Sequence, residues 1–179
     1  MRMKVDDNEL AARAANGDAA AFRTLLENSY SMIFRFALRF CGSREDAEDI
    51  AQDVAMGLAR KIRSFRGDAK FSTWLYQVVI NQVRDHYRKQ ASRQKAHQSW
   101  GEASALLLDE DQTRAEEVSW LYESLEEVGQ ELKETAVLVL AEGLNHAEAA
   151  EVLGIKESTV SWRMHELRKK LKQMAKEEA

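Results

Sequence analysis

Apolar residues recur along this chain at spacings of three and four, and that period predicts a succession of amphipathic helices. The first is short, Asp7 to Ala15, and Asn16 and Gly17 stop it. Asp18 then caps a longer helix running to about Phe40, with an inward stripe of Phe22, Leu26, Ser29 or Tyr30, Ile33, Ala37 and Phe40, and Gly42 ends it. Ser43, with Asp46 three residues on, has the pattern of a capping box and opens a helix from Arg44 to Arg63. Ala47, Ile50, Ala51, Val54, Leu58 and Ile62 face inward there. The next helix, about 72–90, is expected to start at an N-cap on Ser72, with Phe71 stapled onto Tyr76. Phe71, Leu75, Val78, Val79 and Val83 form its buried stripe.

After residue 90 the period fades. Residues 91–119 read as a flexible linker holding one apolar and acidic cluster, Leu106, Leu107, Leu108, Asp109, Glu110 and Asp111. Periodicity returns near Trp120, with helices expected at Leu121–Val128, Glu131–Ala141, His146–Leu153 and Thr159 to about Met174. Asn145 and Glu148 make a second capping box, and Gly143 and Gly154 mark turns. The last helix is expected to bury Val160, Met164, Leu167 and Leu171.

Composition strengthens this picture. A chain of 179 residues without proline and with only eight glycines lacks the turn punctuation of a strand-rich fold, so the fold class is all-α. The expected organisation is two small helical domains, 1–90 and 120–179, joined by the linker. No apolar run approaches the ~18 residues of a membrane span, and MRMKVDDNEL lacks a signal-peptide core, so the expected location is cytoplasmic, without membrane insertion. Cys41 is the single cysteine, which excludes an internal disulfide and leaves a packed thiol as the simplest reading.

The net charge of −4 hides a segregation. Residues 60–97 carry ten Lys or Arg against two acids, residues 102–151 two against fourteen, and residues 156–176 seven against two. Two basic regions separated by an acidic one suit a polyanion held at two places.

The candidate chemistry follows those regions. Asp49, Gln52, Asp53 and Met56 form an outward stripe on the 44–63 helix, either a solvated face or a docking site for a basic partner. In the stretch 65–90 a basic loop feeds a helix whose second stripe is Gln77, Asn81, Arg84 and Arg88. Amide and guanidinium groups of that kind read base edges and hold phosphates, and nearby rings can stack on unpaired bases. Residues 146–163 fit a helix-turn-helix, with Ala150, Gly154 and Val160 at the spacing that lets two helices cross closely. Ser158, Thr159, Ser161, Trp162, Arg163, His165 and Arg168 are then exposed or flanking. The N-terminal part of that helix is nearest the bases, and Arg168, Lys169, Lys170 and Lys172 are placed for phosphates. Catalytic readings are poor. His86, His97, His146 and His165 are scattered, the carboxylates of 45–53 lack a Glu-x-x-His partner, and no glycine-rich phosphate loop is present. No enzyme activity, metal or cofactor is expected.

The run DAEDIAQDVAMGLARKIRSFRGDAKFSTWLYQVVINQVRDHYRK, residues 46–89, resembles region 2 of bacterial sigma factors of the compact extracytoplasmic-function group. Its most characteristic pieces are Asp46 to Asp53, the Ser64, Phe65, Arg66 turn, and Phe71 to Leu75. EGLNHAEAAEVLGIKESTVSWRMHELRKKL, residues 142–171, resembles sigma region 4. The resemblance implies that Asp49, Gln52 and Asp53, with Met56 beside them, bind core RNA polymerase. It implies that Arg66, Gly67, Asp68, Ala69, Lys70 and Phe71 form a loop capturing a flipped base of the minus-10 element, with Asn81, Arg84 and Arg88 holding the melted strand. It further implies that region 4 reads the minus-35 duplex of promoter DNA and that an anti-sigma factor masks the protein until a signal arrives. The acidic linker is implied to thread polymerase channels that otherwise carry nucleic acid.

Ser161 and Trp162 replace the Lys and small residue common in the family, and the usual proline is absent near Val128, so neither the minus-35 sequence nor that helix boundary carries over. No additional sensory domain is expected. Two other functions compete: a stand-alone helix-turn-helix regulator, which needs neither the acidic stripe nor the loop, and a sigma-like decoy that sequesters an anti-sigma factor.

Overall fold

The structure, a computed structural model, describes residues 6–94 and 127–177. Contacts divide them into two compact units, one within Met1–Glu102 and one within Ala103–Ala179. All their regular elements are helical. Of the linker only residues 91–94 are described, and they belong to a helix. Trp120, Leu121, His97 and the 106–111 cluster lie outside the described residues.

In the first unit, α1 (Asp7–Ala15) leads through a tight turn to α2 (Ala19–Cys41), then α3 (Arg44–Lys61), a 3-10 turn (Ile62–Ser64), a loop, and α4 (Phe71–Gln94). α2 is the hub, packed against α1, α3 and α4, while α3 also packs on α4. Leu25, Ile33, Phe36, Phe40, Ile50, Leu58, Leu75 and Ile80 fill the centre. Local signals explain the boundaries. The Asp18 carboxylate accepts from the Ala20 and Ala21 amides at 3.0 Å each, and Gly42, left-handed at φ 63°, returns its amide to Leu38 O at 2.9 Å.

Four local expectations are corrected. The buried stripe of α2 begins Ala21, Leu25, Ser29, with Phe22 and Leu26 half-buried beside it and Tyr30 exposed; Phe36 joins the stripe further on. α1 packs against α2, tied to it by Asn28 Nδ2 to Asp7 Oδ1 at 3.2 Å, and Leu10, Ala11 and Ala14 of α1 are buried with Ala21 and Leu25 of α2. Ser72 does not cap α4: the helix begins one residue earlier, Trp74 N donating to Lys70 O at 3.2 Å, and Ser72 is exposed within it. The Phe71–Tyr76 staple is replaced by two separate aromatic contacts. Phe71 packs with Phe65 and Trp74 at centroid distances of 5.9 Å, while Tyr76 meets Phe36 at 4.6 Å. The Ser43 hydroxyl does accept from Asp46 N at 3.3 Å, but the Asp46 carboxylate engages His86 and Gln90 of α4. Cys41 is half-buried, its thiol within 3.1 Å of Ala37 O.

Asp18 supplies a pH prediction. Its hydrogen bond from Ala21 N, and next its bond with Arg13, hold the carboxyl below its ordinary value of 3.8. A depressed folded pKa contributes stability that is present above the unfolded value and lost as pH falls through the folded one. The difference in thermal midpoint between wild type and Asp18→Asn should therefore be constant near neutrality and close below about pH 4. A gap that persists into stronger acid would show that the charge is not its source.

The second unit holds α5 (Gln130–Ala136), which continues through a π turn (Val137–Ala141), α6 (His146–Leu153) and α7 (Glu157–Glu177). The predicted 131–141 helix is thus regular only in its first half. Where the family's proline is missing, Gly129 at φ 97° makes the break before α5. α6 has the full Asn145–Glu148 capping box, and Gly154 closes it in a Schellman turn, with Ile155 N to Ala150 O at 3.1 Å. α7 packs across α5 and α6 through Val160, Met164 and Leu167, with Leu171 only half-buried. It starts at Glu157, two residues before the expected Thr159.

Candidate polymerase and nucleic-acid interfaces

On α3 the inward residues Ala47, Ile50, Ala51, Val54 and Leu58 are buried, which forces the residues between them outward. Asp49, Gln52, Asp53 and Met56 are all exposed, Met56 at 81%. An 81% exposed methionine beside two carboxylates and an amide is a surface able to offer both charge and polarizable apolar contact. Asp53 is also bonded to the neighbouring helix: Gln82 Nε2 of α4 donates to its Oδ2 at 2.9 Å.

The loop between the 3-10 turn and α4 stands on an aromatic trio. Phe65 is buried and edge-on to Phe71 and to Trp74, which is half-buried. Arg66, Gly67, Asp68 and Lys70 are exposed above it and Ala69 is half-buried. Gly67 takes a left-handed φ of 77°, a conformation that disfavours other residues there. Phe71 is corrected as a member of the contact loop. Its ring is 2% exposed and belongs to the core, as its place in the buried stripe already required.

Along α4, Gln77 and Asn81 are exposed, Arg84 half-buried, and Arg88 exposed and ion-paired with Asp85. The inner side of the same helix is fixed by Tyr87, whose hydroxyl donates to Phe40 O at 2.7 Å, and by His86, 3.0 Å from Asp46 Oδ1. Amide and guanidinium groups are thereby presented on a helix held at several points to its neighbours.

In the second unit Ser158, Ser161, Trp162, His165 and Arg168 are exposed and Thr159 half-buried. Trp162 is 59% exposed near the start of α7. Ser161 Oγ lies 2.9 Å from His146 Nδ1, so the first helix of the pair holds a side chain of the second. Arg163 is corrected from exposed or flanking to buried. It is 7% exposed and reaches Glu131 of α5 at 2.8 Å. Position 163 lies three residues after Val160 and four before Leu167, on the same buried face; its Nη2 reaches that carboxylate, while its Nε stays buried without a hydrogen-bond partner.

Asp46, Gln82, His86 and His146 were not singled out as site residues, and neither was Asn8. Each acts on a residue distant in sequence, where no local pattern marks it. Among the described residues no helix is long and apolar enough to cross a membrane, and no group of three or more His, Cys, Asp or Glu could hold a metal ion.

Two helical units, one with an acidic stripe beside a basic loop and helix, the other a helix-turn-helix, have the make-up of a transcription protein. Comparison with known proteins gives the family. Residues 25–93 match Sigma-70 region 2. The chain is 30% identical over 170 residues to the ECF RNA polymerase sigma factor SigM of Mycobacterium tuberculosis, covering 95% of this chain and 85% of that one. It is 27% identical over 179 residues to the RNA polymerase sigma-H factor of Pseudomonas aeruginosa, covering 94% and 93%. Among solved structures it is similar to CnrH in complex with the cytosolic domain of CnrY, with a TM-score of 0.71 at 25% identity, over 97% of this chain and 99% of that one. It also shares the fold of the sigma factor RpoE from Bartonella quintana, solved with the anti-sigma factor NepR: TM-score 0.72 at 21% identity, over 87% and 96%. The chain belongs to the extracytoplasmic-function sigma factors of the sigma-70 family. It binds core RNA polymerase and directs it to promoters for transcription initiation.

Proposed function

We propose that the two units divide promoter recognition between them. Residues 1–90 dock on polymerase through Asp49, Gln52, Asp53 and Met56, and take the minus-10 element with Arg66 to Lys70, Asn81, Arg84 and Arg88. Residues 120–179 read the minus-35 duplex with Ser158, Thr159, Ser161, Trp162 and His165, while Arg168 holds phosphate. Phe71 and Arg163 support these surfaces from the core. The observation that carries this reading is the arrangement on α3 and α4. An exposed acidic stripe and an exposed amide and guanidinium face lie on adjoining helices of one rigid core, each with the chemistry of a different partner.

Melting then needs no hydrolysis. Unstacked bases of the non-template strand enter the loop, and their contacts there offset the roughly few kcal/mol of unpairing. No catalytic activity is assigned to the chain itself, and its place of action is the cytoplasm, with polymerase and DNA. An anti-sigma factor is its regulator, as the complexes of CnrH with CnrY and of RpoE with NepR suggest by similarity.

The test is opening itself: core enzyme plus this protein on promoter fragments, scored with permanganate for unpaired thymines. Reactivity that requires both proteins supports the reading, and duplex binding without core and without opening would replace it by a stand-alone regulator. Asn81→Ala should slow opening about fivefold to tenfold, the effect of one lost hydrogen bond, with core affinity unchanged. Equal loss of core binding would defeat the division of labour.

A further inference from the structure

The start of α4 is held by a residue from the first helix of the chain. The side-chain oxygen of Asn8, Oδ1, accepts a hydrogen bond from Phe71 N at 2.7 Å, across a sequence separation of 63. The Phe71 amide is one of the N-terminal donors that a helix leaves without an internal partner, so Asn8 is a cap supplied by another helix. The Asn8 amide is itself oriented: its Nδ2 donates to the Asp6 carboxylate at 3.2 Å, and Asp6 also accepts from Asn8 N as the cap of α1. α1 is tied in turn to α2, Asn28 Nδ2 donating to Asp7 Oδ1 at 3.2 Å. It also packs against the Ile62–Ser64 turn. α1 therefore touches both ends of the exposed loop 66–70: the turn that enters it and the amide that closes it.

We propose that Asn8 is a positioning residue for promoter opening, setting the geometry of the loop 66–70 through its bond to the Phe71 amide. This rests on the assignment of that loop to minus-10 strand capture. A capture pocket works only if its groups are already placed when a base unstacks, and a loop whose far end can drift loses that preorganisation. Asn8 is exposed and fills no core space, so its replacement acts on this one bond and on its link to Asp6.

The test uses the full chain with core polymerase on a promoter fragment that the wild-type holoenzyme opens, following thymine reactivity against time. Asn8→Ala should slow opening about fivefold, the effect of one lost cap, with core affinity unchanged. The exchange Asp6→Asn with Asn8→Asp keeps a good cap on α1, keeps the bond between the two side chains and keeps an acceptor on Phe71 N. It should restore the rate to within about twofold. Thermal melting of the Asn8→Ala variant separates this from general destabilisation: opening should slow at a temperature where that variant is fully folded, and slowing seen only near its melting range would overturn the proposal. Wild-type opening by Asn8→Ala, or an exchange that opens no faster than the alanine variant, would overturn the proposal. If Asn8→Ala and Asn81→Ala both open normally, the strand-capture reading fails and this inference with it; a normal rate for Asn8→Ala beside a slow Asn81→Ala sinks the inference alone.

Discussion

Phe36→Ala is expected to melt the first unit roughly 15 °C or more below wild type, by removing a buried ring at the cost of about 3–5 kcal/mol in a domain of this size. Phe36 is fully buried at the crossing of α2 with α4. Its ring is edge-on to Phe40 at 5.0 Å and to Tyr76 at 4.6 Å, and both contacts vanish with it. Domains of this size have only about 5–15 kcal/mol of net stability, so the loss is a large fraction of the whole. The second unit has its own core of Leu138, Val160, Met164 and Leu167, and the backbone amides of α7 should keep their hydrogen-exchange protection. Tyr76 provides a second readout. Burial holds its phenol above the ordinary value, with Arg39 and Arg35 acting the other way, and opening the cavity should return its titration toward about 10. A melting shift below about 5 °C, or an equal loss of protection in α7, would contradict this account of the two cores.

Asp49→Arg is expected to weaken binding to core polymerase about tenfold to a hundredfold, since reversing a charge replaces an attraction with a repulsion against a basic partner. Asp49 is exposed, so the folded unit should melt at an unchanged temperature. The adjacent Glu48 is the internal control, because it lies off the stripe and pairs with Arg44 at 2.9 Å. Long-range charge alone would make Glu48→Arg as damaging as Asp49→Arg; a local docking face makes it several-fold milder. Binding measured at two salt concentrations separates these cases, and equal losses for both variants would remove Asp49 from the interface.

Much of this architecture could be read before any coordinates, where its determinants are local. Asp18, Gly42, Asn145 with Glu148, and Gly154 each set a helix end through bonds to residues within a few positions, and all four act as expected. Expectations failed where a distant partner decides. The start of α4 moved from Ser72 to Phe71 because Asn8 caps it from α1, and Asp46 turned away from Ser43 because His86 and Gln90 lie opposite. Ala21 and Leu25, one position before Phe22 and Leu26, take the buried stripe of α2, the helix against which α1, α3 and α4 all pack. Arg163 looked like a DNA contact by type, yet its position between Val160 and Leu167 already placed it on the buried face, and the carboxylate of Glu131 made that tolerable. The π turn at Val137–Ala141 had no signal in the apolar period at all.

To a geneticist, the bond from Gln82 to Asp53 joins two helices into one target of selection. A substitution at Gln82 releases the Asp53 carboxylate, so, on the docking role proposed for that stripe, it should appear in a screen for polymerase-binding alleles although it sits on α4. Compensating changes for a damaged docking stripe should then be sought on α4 as readily as on α3. Alleles at 53 and 82 should show epistasis, the double variant losing less than the two single losses combined.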